Sequence, residues 1–299
     1  MKKKILLFLM CIMITNIYSA EEKVKVAVSI YPIGDMVKQI AGDRAEVHII
    51  VKPGESPHTF SPRPSDMKYL SKADIFFTIG LGLEYWSDKF VKSAGNKKLK
   101  SVELSSEIND LIKEEHREEE NGSIEEENEH GEYNPHIWFS PVRAVIIAER
   151  IKKELIEKDK KNAKKYEKNC EKFVKKLKNM DSDFKKRAAK FRKKEFVCFH
   201  PAYVYFEKDY GIKHILSIEE FPGKEPSSKY IKNVIDLIKK EKIEVIFAEP
   251  QFSMKVVNLI SKETGVKIGI LDPIGGIKGK EGYIELMNYN FDQIERILK

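Results

Sequence analysis

The stretch IEVIFAEP (residues 243–250) decides the fold. It is a short apolar run with β-branched and aromatic residues, which is typical of a strand buried in a parallel sheet. The stretches EFVCFHP (195–201) and VKIGILDP (266–273) have the same form. All three runs end in a histidine or an acidic residue followed by proline. Because open α/β sheets bind ligands at the carboxyl ends of their strands, this edge is the predicted site.

The rest of the chain repeats the alternation of strands and helices in two similar halves. Strands are predicted at KVKVAVSI (23–30), AEVHIIV (45–51), ADIFFTIG (73–80) and HILSI (214–218). Helical spacing follows the first strand at Met36, Val37 and Ile40, and it recurs at Ile231, Val234, Ile235 and Ile238 and around Val256 to Ile260. This order predicts an α/β protein with mostly parallel sheets covered by helices.

A lysine-rich stretch at 159–192 separates the halves, 21–158 and 193–299. Apolar residues in it step by four and three positions, at Tyr166, Cys170, Phe173, Leu177, Met180 and Phe184. No proline or glycine interrupts the stretch, so it predicts one continuous amphipathic helix about 50 Å long. Such a helix would be a stiff connection that limits movement of the two halves.

Residues 1–20 form a predicted secretory signal peptide. Three lysines precede an apolar run of about ten residues, which is too short to span a bilayer, and small residues follow. Cys11 lacks the small preceding residue of a lipidated cysteine, so cleavage near Ala20 and a periplasmic mature protein are predicted. Cys170 and Cys198 then remain, either bridged or as buried free thiols, with Cys170 on the apolar face of the long helix.

Composition excludes some function classes. The chain has 299 residues, 41% of them hydrophobic, which is enough for two domains. Its formal net charge is +7, and three of these charges lie in the predicted signal peptide. The remaining excess of lysines is scattered, with no arginine-aromatic patch, so nucleic-acid binding is not predicted.

Three of the seven histidines adjoin a proline: His58, His136 and His200. Together with Asp272 they would place two ligands from each half around one divalent metal ion, since imidazole and carboxylate are common metal ligands. Any one of them taken alone could instead be a hydrogen-bonded loop or core residue, and Asp272 could cap the following turn. His48 and His214, within or at the start of strands, are predicted to be structural.

Stiff loops would present two of these histidines. Residues 53–64 hold four prolines around His58, and Ser65 is predicted to cap the next helix. The stretch NPHIWFSP (134–141) holds His136 before a helix that Ser140 would cap, with Pro141 at its first position.

Five blocks in order resemble the zinc/manganese ABC-transporter substrate-binding proteins, the cluster A-I or cluster 9 family. They are SPHTFSPRPSD, NPHIWFSP, FHPAYVYFEKDYGI, FAEPQFS and LDPIGG, and the resemblance covers the whole mature chain. It implies two (β/α)₄ lobes joined by a long rigid backbone helix, with a metal ion bound in the cleft between them. The implied ligands are His58, His136, His200 and Asp272, and Glu249 would orient one of them.

The resemblance also bears on the metal. Members that look specific for manganese tend to carry glutamate where this chain has His200, and a third imidazole favours Zn²⁺ over Mn²⁺. Zinc-type members commonly have a histidine-rich loop before the second ligand. Here the acidic loop 114–132 has ten glutamates but only His116 and His130. That loop is either a weak cation collector or a solvated surface segment.

The resulting hypothesis is a monomeric periplasmic receptor, not an enzyme, that delivers Zn²⁺ to the membrane permease of an ABC transporter. An uptake receptor for manganese or iron with the same fold is the alternative. A secreted zinc-dependent hydrolase is a rival of another class, although the chain has no HExxH or nucleophile-elbow motif. For a surface adhesin the sequence offers no specific feature.

Overall fold

A computed structural model describes residues 22–114, 131–219, 223 and 225–299. The predicted signal peptide 1–20, with Cys11, lies outside the described residues. So does most of the acidic loop 114–132, with His116 and His130. Within the described part, no helix combines the length and the apolar character that crossing a membrane requires.

Each half contains a four-stranded parallel sheet, as the alternation of strands and helices predicts. The first sheet has the order β2-β1-β3-β4, and the second has the equivalent order β6-β5-β7-β8. The strands are β1 Val24–Val28, β2 Ala45–Ile49, β3 Ile75–Thr78, β4 Lys100–Glu103, β5 Glu195–Cys198, β6 Lys213–Ser217, β7 Val245–Ala248 and β8 Lys267–Ile270. The identical strand order places equivalent strand ends at the same edge of each sheet.

Helices connect and cover the strands. They are α1 Tyr31–Ala41, α2 Pro64–Leu70, α3 Ser87–Ala94, α4 Pro141–Lys158, α5 Ala163–Ala188, α6 Val204–Tyr210, α7 Ser228–Glu241, α8 Met254–Thr264 and α9 Tyr283–Leu298. The predicted start of α4 is confirmed, because the Ser140 hydroxyl accepts a hydrogen bond from the Arg143 backbone N–H. The predicted cap at Ser65 is wrong. Arg63 precedes the first helical residue, Pro64, and the Asp66 carboxylate accepts from the Arg63 backbone N–H.

The connecting helix α5 lies along both halves. It packs against α1 and α4 of the first half and against α6 and α9 of the second. All six residues of the predicted apolar stripe are buried in it. The helix is shorter than the predicted span 159–192, about 39 Å long. Helix α4 ends at Lys158, immediately before Asp159, and a short 3₁₀ turn separates it from α5. The predicted helix therefore starts later than expected, at a boundary that no proline or glycine marks.

One hydrophobic core passes through both halves, and polar contacts join them around it. The Trp138 indole N–H donates to the Pro273 carbonyl at 2.9 Å, and the Tyr283 hydroxyl donates to the Trp138 carbonyl at 2.6 Å. Cys170 and Cys198 are buried free thiols, not a disulfide. Burial raises the pKa of Cys170 to about 12, so this thiol stays protonated and unreactive.

Candidate metal centre

Three imidazoles converge between the halves. The Nε2 atom of His136 lies 3.1 Å from Nε2 of His58 and 3.1 Å from Nε2 of His200. One ring nitrogen from each histidine falls within 4.8 Å of the other two. Two nitrogens bound to one tetrahedral zinc at ~2.05 Å would be about 3.4 Å apart. The spacing of this cluster is therefore close to that of a zinc site.

His136 occupies the centre of the cluster because its loop is buried on both sides. The following residues Ile137–Phe139 form a buried 3₁₀ turn, and His136 itself is 3% exposed. The Asn134 side-chain oxygen accepts from the His136 backbone N–H at 3.1 Å and lies 3.0 Å from Nδ1. An amide oxygen is an acceptor, so Nδ1 carries the proton and Nε2 presents its lone pair to the other two histidines.

Asn134 also joins the two halves, a role that the sequence analysis missed. Its side-chain N–H donates to the Pro201 carbonyl at 2.9 Å, beside His200. Its own carbonyl accepts from the Tyr205 hydroxyl at 2.7 Å. The Asn-Pro pair before His136 predicts a stiff loop, but nothing in the sequence pattern indicates the contact between Asn134 and Pro201. One amide side chain thus sets the orientation of one histidine and the position of the loop that carries another.

His200 follows β5, and Glu249 follows the neighbouring strand β7. The His200 Nδ1 atom lies 2.7 Å from the Glu249 Oε1 atom, and both side chains are buried. A carboxylate on Nδ1 holds the proton there and leaves Nε2 to face the cluster. Burial lowers the pKa of His200, but the charge and hydrogen bond of Glu249, together with the charges of Glu219 and Glu114, raise that pKa above its ordinary value.

The central histidine has the opposite shift. Burial lowers the pKa of His136 well below its ordinary value, and the neighbouring His200 and His58 lower it further. His136 is therefore neutral at physiological pH, as a metal ligand must be. The cluster thus combines one imidazole with a lowered pKa and another with a raised pKa.

Asp272, the fourth predicted ligand, does not join the three imidazoles. It lies two residues beyond β8, where its Oδ1 atom accepts from the Gln251 side chain and from the backbone N–H groups of Ile274 and Gly275. Its Oδ2 atom is paired with the Lys280 ammonium. A role for Asp272 as a ligand therefore stays a prediction.

The space at the cluster is very small. Residues of both halves line a cavity of about 10 Å³, enough for roughly one water-sized sphere. Besides the histidines, its lining includes Pro57 of the first half and Phe252 and Pro273 of the second. The cavity suits a single ion and is too small for an organic substrate.

The two histidines that were predicted to be structural have carboxylate partners away from this cluster. His48 Nε2 lies 2.8 Å from the Asp66 carboxylate, and its ring stacks on Tyr69. His214 Nδ1 lies 2.8 Å from the Glu207 carboxylate. Both predictions are confirmed.

Comparison with known proteins supports the same interpretation. Residues 26–297 match the family model described as ZnuA, zinc-uptake complex component A periplasmic. The chain is 30% identical over 289 residues to the zinc-binding lipoprotein AdcA of Streptococcus pneumoniae serotype 4 (strain TIGR4), covering 94% of this chain and 57% of that relative. It therefore spans little more than half the length of this relative.

Another relative and a solved structure match more of their own length. The high-affinity zinc uptake system protein ZnuA of Bacillus subtilis (strain 168) is 31% identical over 282 residues, covering 93% of this chain and 88% of that protein. A crystal structure of ZnuA superposes with a TM-score of 0.81 at 30% identity, covering 93% of this chain and 100% of that one. The predicted resemblance is confirmed, and the chain belongs to the family of ZnuA, the periplasmic component A of zinc-uptake complexes.

Proposed function

We propose that this protein is a periplasmic receptor that binds Zn²⁺ with high affinity and delivers it to the membrane permease of an ABC transporter. The observation that carries the proposal is the convergence of the Nε2 atoms of His58, His136 and His200 on one ion-sized cavity. Membership of the zinc-uptake family supports both the metal and the role. We propose that the receptor is a monomer. We also propose that the leader 1–20 directs its export and is then cleaved.

We further propose that Asp272 supplies the fourth ligand, so that the site is complete when both halves contribute two groups. Three nitrogen donors favour zinc over manganese, which prefers hard oxygen ligands. This donor set is therefore the reason to prefer zinc over manganese for this chain.

The small cavity argues against a hydrolase. A catalytic zinc site needs an open coordination position and room for a substrate next to it. The cavity admits about one water-sized sphere, and the nearby Glu249 carboxylate is already paired with His200. The small cavity at the three histidines therefore supports our proposal of a binding protein and not an enzyme.

Competitive dialysis tests this proposal. The mature protein is stripped with a chelator and dialysed against equal concentrations of zinc and manganese, and the bound metals are counted by mass spectrometry. We expect one zinc per chain. Retention of manganese would leave a transport role but contradict the choice of metal, and retention of neither metal would contradict the proposed function.

The affinity for zinc is expected to fall as pH decreases. Zinc requires neutral imidazoles, and the raised pKa of His200 means that protons begin to compete at a higher pH than at an ordinary histidine. Between pH 7.5 and pH 5.5 the apparent Kd should weaken by at least about tenfold. The Glu249→Gln variant removes the charge that raises this pKa, so the fall should begin at a lower pH. Equal zinc affinity at both pH values in competition titrations would contradict the prediction.

A further inference from the structure

Lys280 has an unusual environment for a lysine. Its side chain is 8% exposed, although the neighbouring residues 277–279 are exposed at the surface. The ammonium pairs with the Asp272 carboxylate and lies 4.5 Å from the ring centroid of Tyr289. Lysine is almost never fully buried unless it is paired, because its charge loses hydration. The burial of Lys280 therefore depends on its partner, Asp272.

The contacts of Asp272 leave one direction for a metal ion. A carboxylate has about four lone-pair positions, two on each oxygen. Oδ1 already accepts from the Gln251 side chain at 2.9 Å and from the backbone N–H groups of Ile274 and Gly275 at 3.1 and 3.0 Å. Oδ2 has the Lys280 ammonium as its partner. A metal ion that binds Asp272 must therefore approach Oδ2, the oxygen that Lys280 occupies.

Two cations cannot share that oxygen at low cost. Zinc carries two positive charges, and the surroundings of Asp272 are buried, where the repulsion between nearby like charges is weakly screened. In the absence of a metal, however, the carboxylate needs a counter-ion, since an unpaired buried charge is strongly unfavourable. The buried Asp272 carboxylate thus needs one positive partner at a time. Lys280 supplies the charge in the metal-free protein, and the metal ion would supply it in the bound protein.

We propose that Lys280 is an internal competitor of the metal ion for Asp272. Its ammonium keeps the carboxylate charged and oriented before binding, withdraws when zinc binds Oδ2, and returns when zinc leaves, so it lowers the affinity and speeds release. The flexible four-carbon stem allows this withdrawal without movement of the backbone. The inference rests on the proposed function, with Asp272 as the fourth ligand.

The Lys280→Met variant tests the competition, with Lys278→Met as the matched control because Lys278 is an exposed lysine of the same loop. We expect Lys280→Met to bind zinc about tenfold or more tightly, with slower dissociation, because zinc no longer has to replace a buried ion pair. Its metal-free form should melt at a lower temperature than the wild type. Lys278→Met should match the wild type, and Lys280→Arg, which keeps the charge, should bind zinc less tightly than Lys280→Met.

Labelling of the wild-type protein provides a second measurement that needs no variant. Amine-reactive labelling followed by peptide mass spectrometry reports the accessibility of each lysine. Zinc saturation should increase the labelling of Lys280 and leave that of Lys278 unchanged.

The outcomes separate this inference from the proposed function. A wild-type protein that binds zinc would overturn the inference if Lys280→Met bound zinc equally or more weakly, since Lys280 would then be neutral or would position Asp272 for the metal. Unchanged labelling of Lys280 on zinc saturation would overturn it too. A wild-type protein that binds no zinc would instead overturn the proposed function, together with this inference.

Discussion

Replacement of His136 by alanine is expected to weaken zinc binding by about two to three orders of magnitude, because each of the four proposed ligands would account for roughly a quarter of a binding free energy of about 10–16 kcal/mol. His136 is the appropriate residue to remove, since its Nε2 atom lies 3.1 Å from those of both other histidines. Competition titration with a zinc chelator, followed by metal counting, measures the effect.

His48→Ala is the matched control for this variant. His48 is a partly buried histidine that contacts the Asp66 carboxylate, but it does not belong to the three-histidine cluster. It should keep one zinc per chain at the wild-type affinity. If His136→Ala bound zinc as the wild type does, the three imidazoles would not be the zinc site.

Replacement of Trp138 by alanine is expected to lower the free energy of unfolding by ~3–5 kcal/mol, the usual cost of removing a buried tryptophan ring. The ring is fully buried next to His136, with ring centroids 5.1 Å apart, and its N–H reaches Pro273 in the other half. The variant therefore leaves a cavity where the two halves meet. Urea unfolding of the chelator-treated protein, followed by circular dichroism, measures the loss.

A pair of phenylalanine variants isolates the hydrogen bond between the halves. Trp138→Phe keeps an aromatic ring but loses the N–H that donates to Pro273. Trp86→Phe is the control, because Trp86 is buried in the first half and its indole N–H has no hydrogen-bond partner among the residues that the structure describes. We expect Trp138→Phe to cost about 1 kcal/mol more than Trp86→Phe. Equal losses would mean that the Trp138–Pro273 bond does not stabilise the junction.

The elements that were predicted correctly have strong local signals. Strands β5, β7 and β8 are short apolar runs, and the buried residues of α5 recur every three to four positions. Each element can therefore be recognised from its own residues without knowledge of the rest of the chain. Strand β4, Lys100–Glu103, was missed because only Val102 of its four residues is buried. An edge strand needs one apolar face at most, and four residues are too few to show a period.

The first residues of helices α2 and α5 depend on side-chain contacts that apolar periodicity does not show. The start of α2 was predicted at Ser65, but the Asp66 carboxylate closes the turn from inside the helix by accepting from Arg63. The break before α5 lies at Asp159, whose carboxylate accepts from the Tyr166 hydroxyl and the Asn162 side chain. These contacts form only when the chain has turned, so sequence spacing alone does not identify them.

The sequence by itself determined the class of the fold and the three histidines that converge, because apolar periodicity and proline-bounded loops are local properties of the chain. Glu249 was implied only by the family resemblance, and its pairing with His200 came from the structure. The tertiary structure alone decided that Asn134 ties His136 to the loop after His200 and that Asp272 is paired with Lys280. The physical reason is that a buried polar group must find a partner wherever the fold places one. Packing of the two halves against α5 selects that partner, and no spacing rule anticipates it.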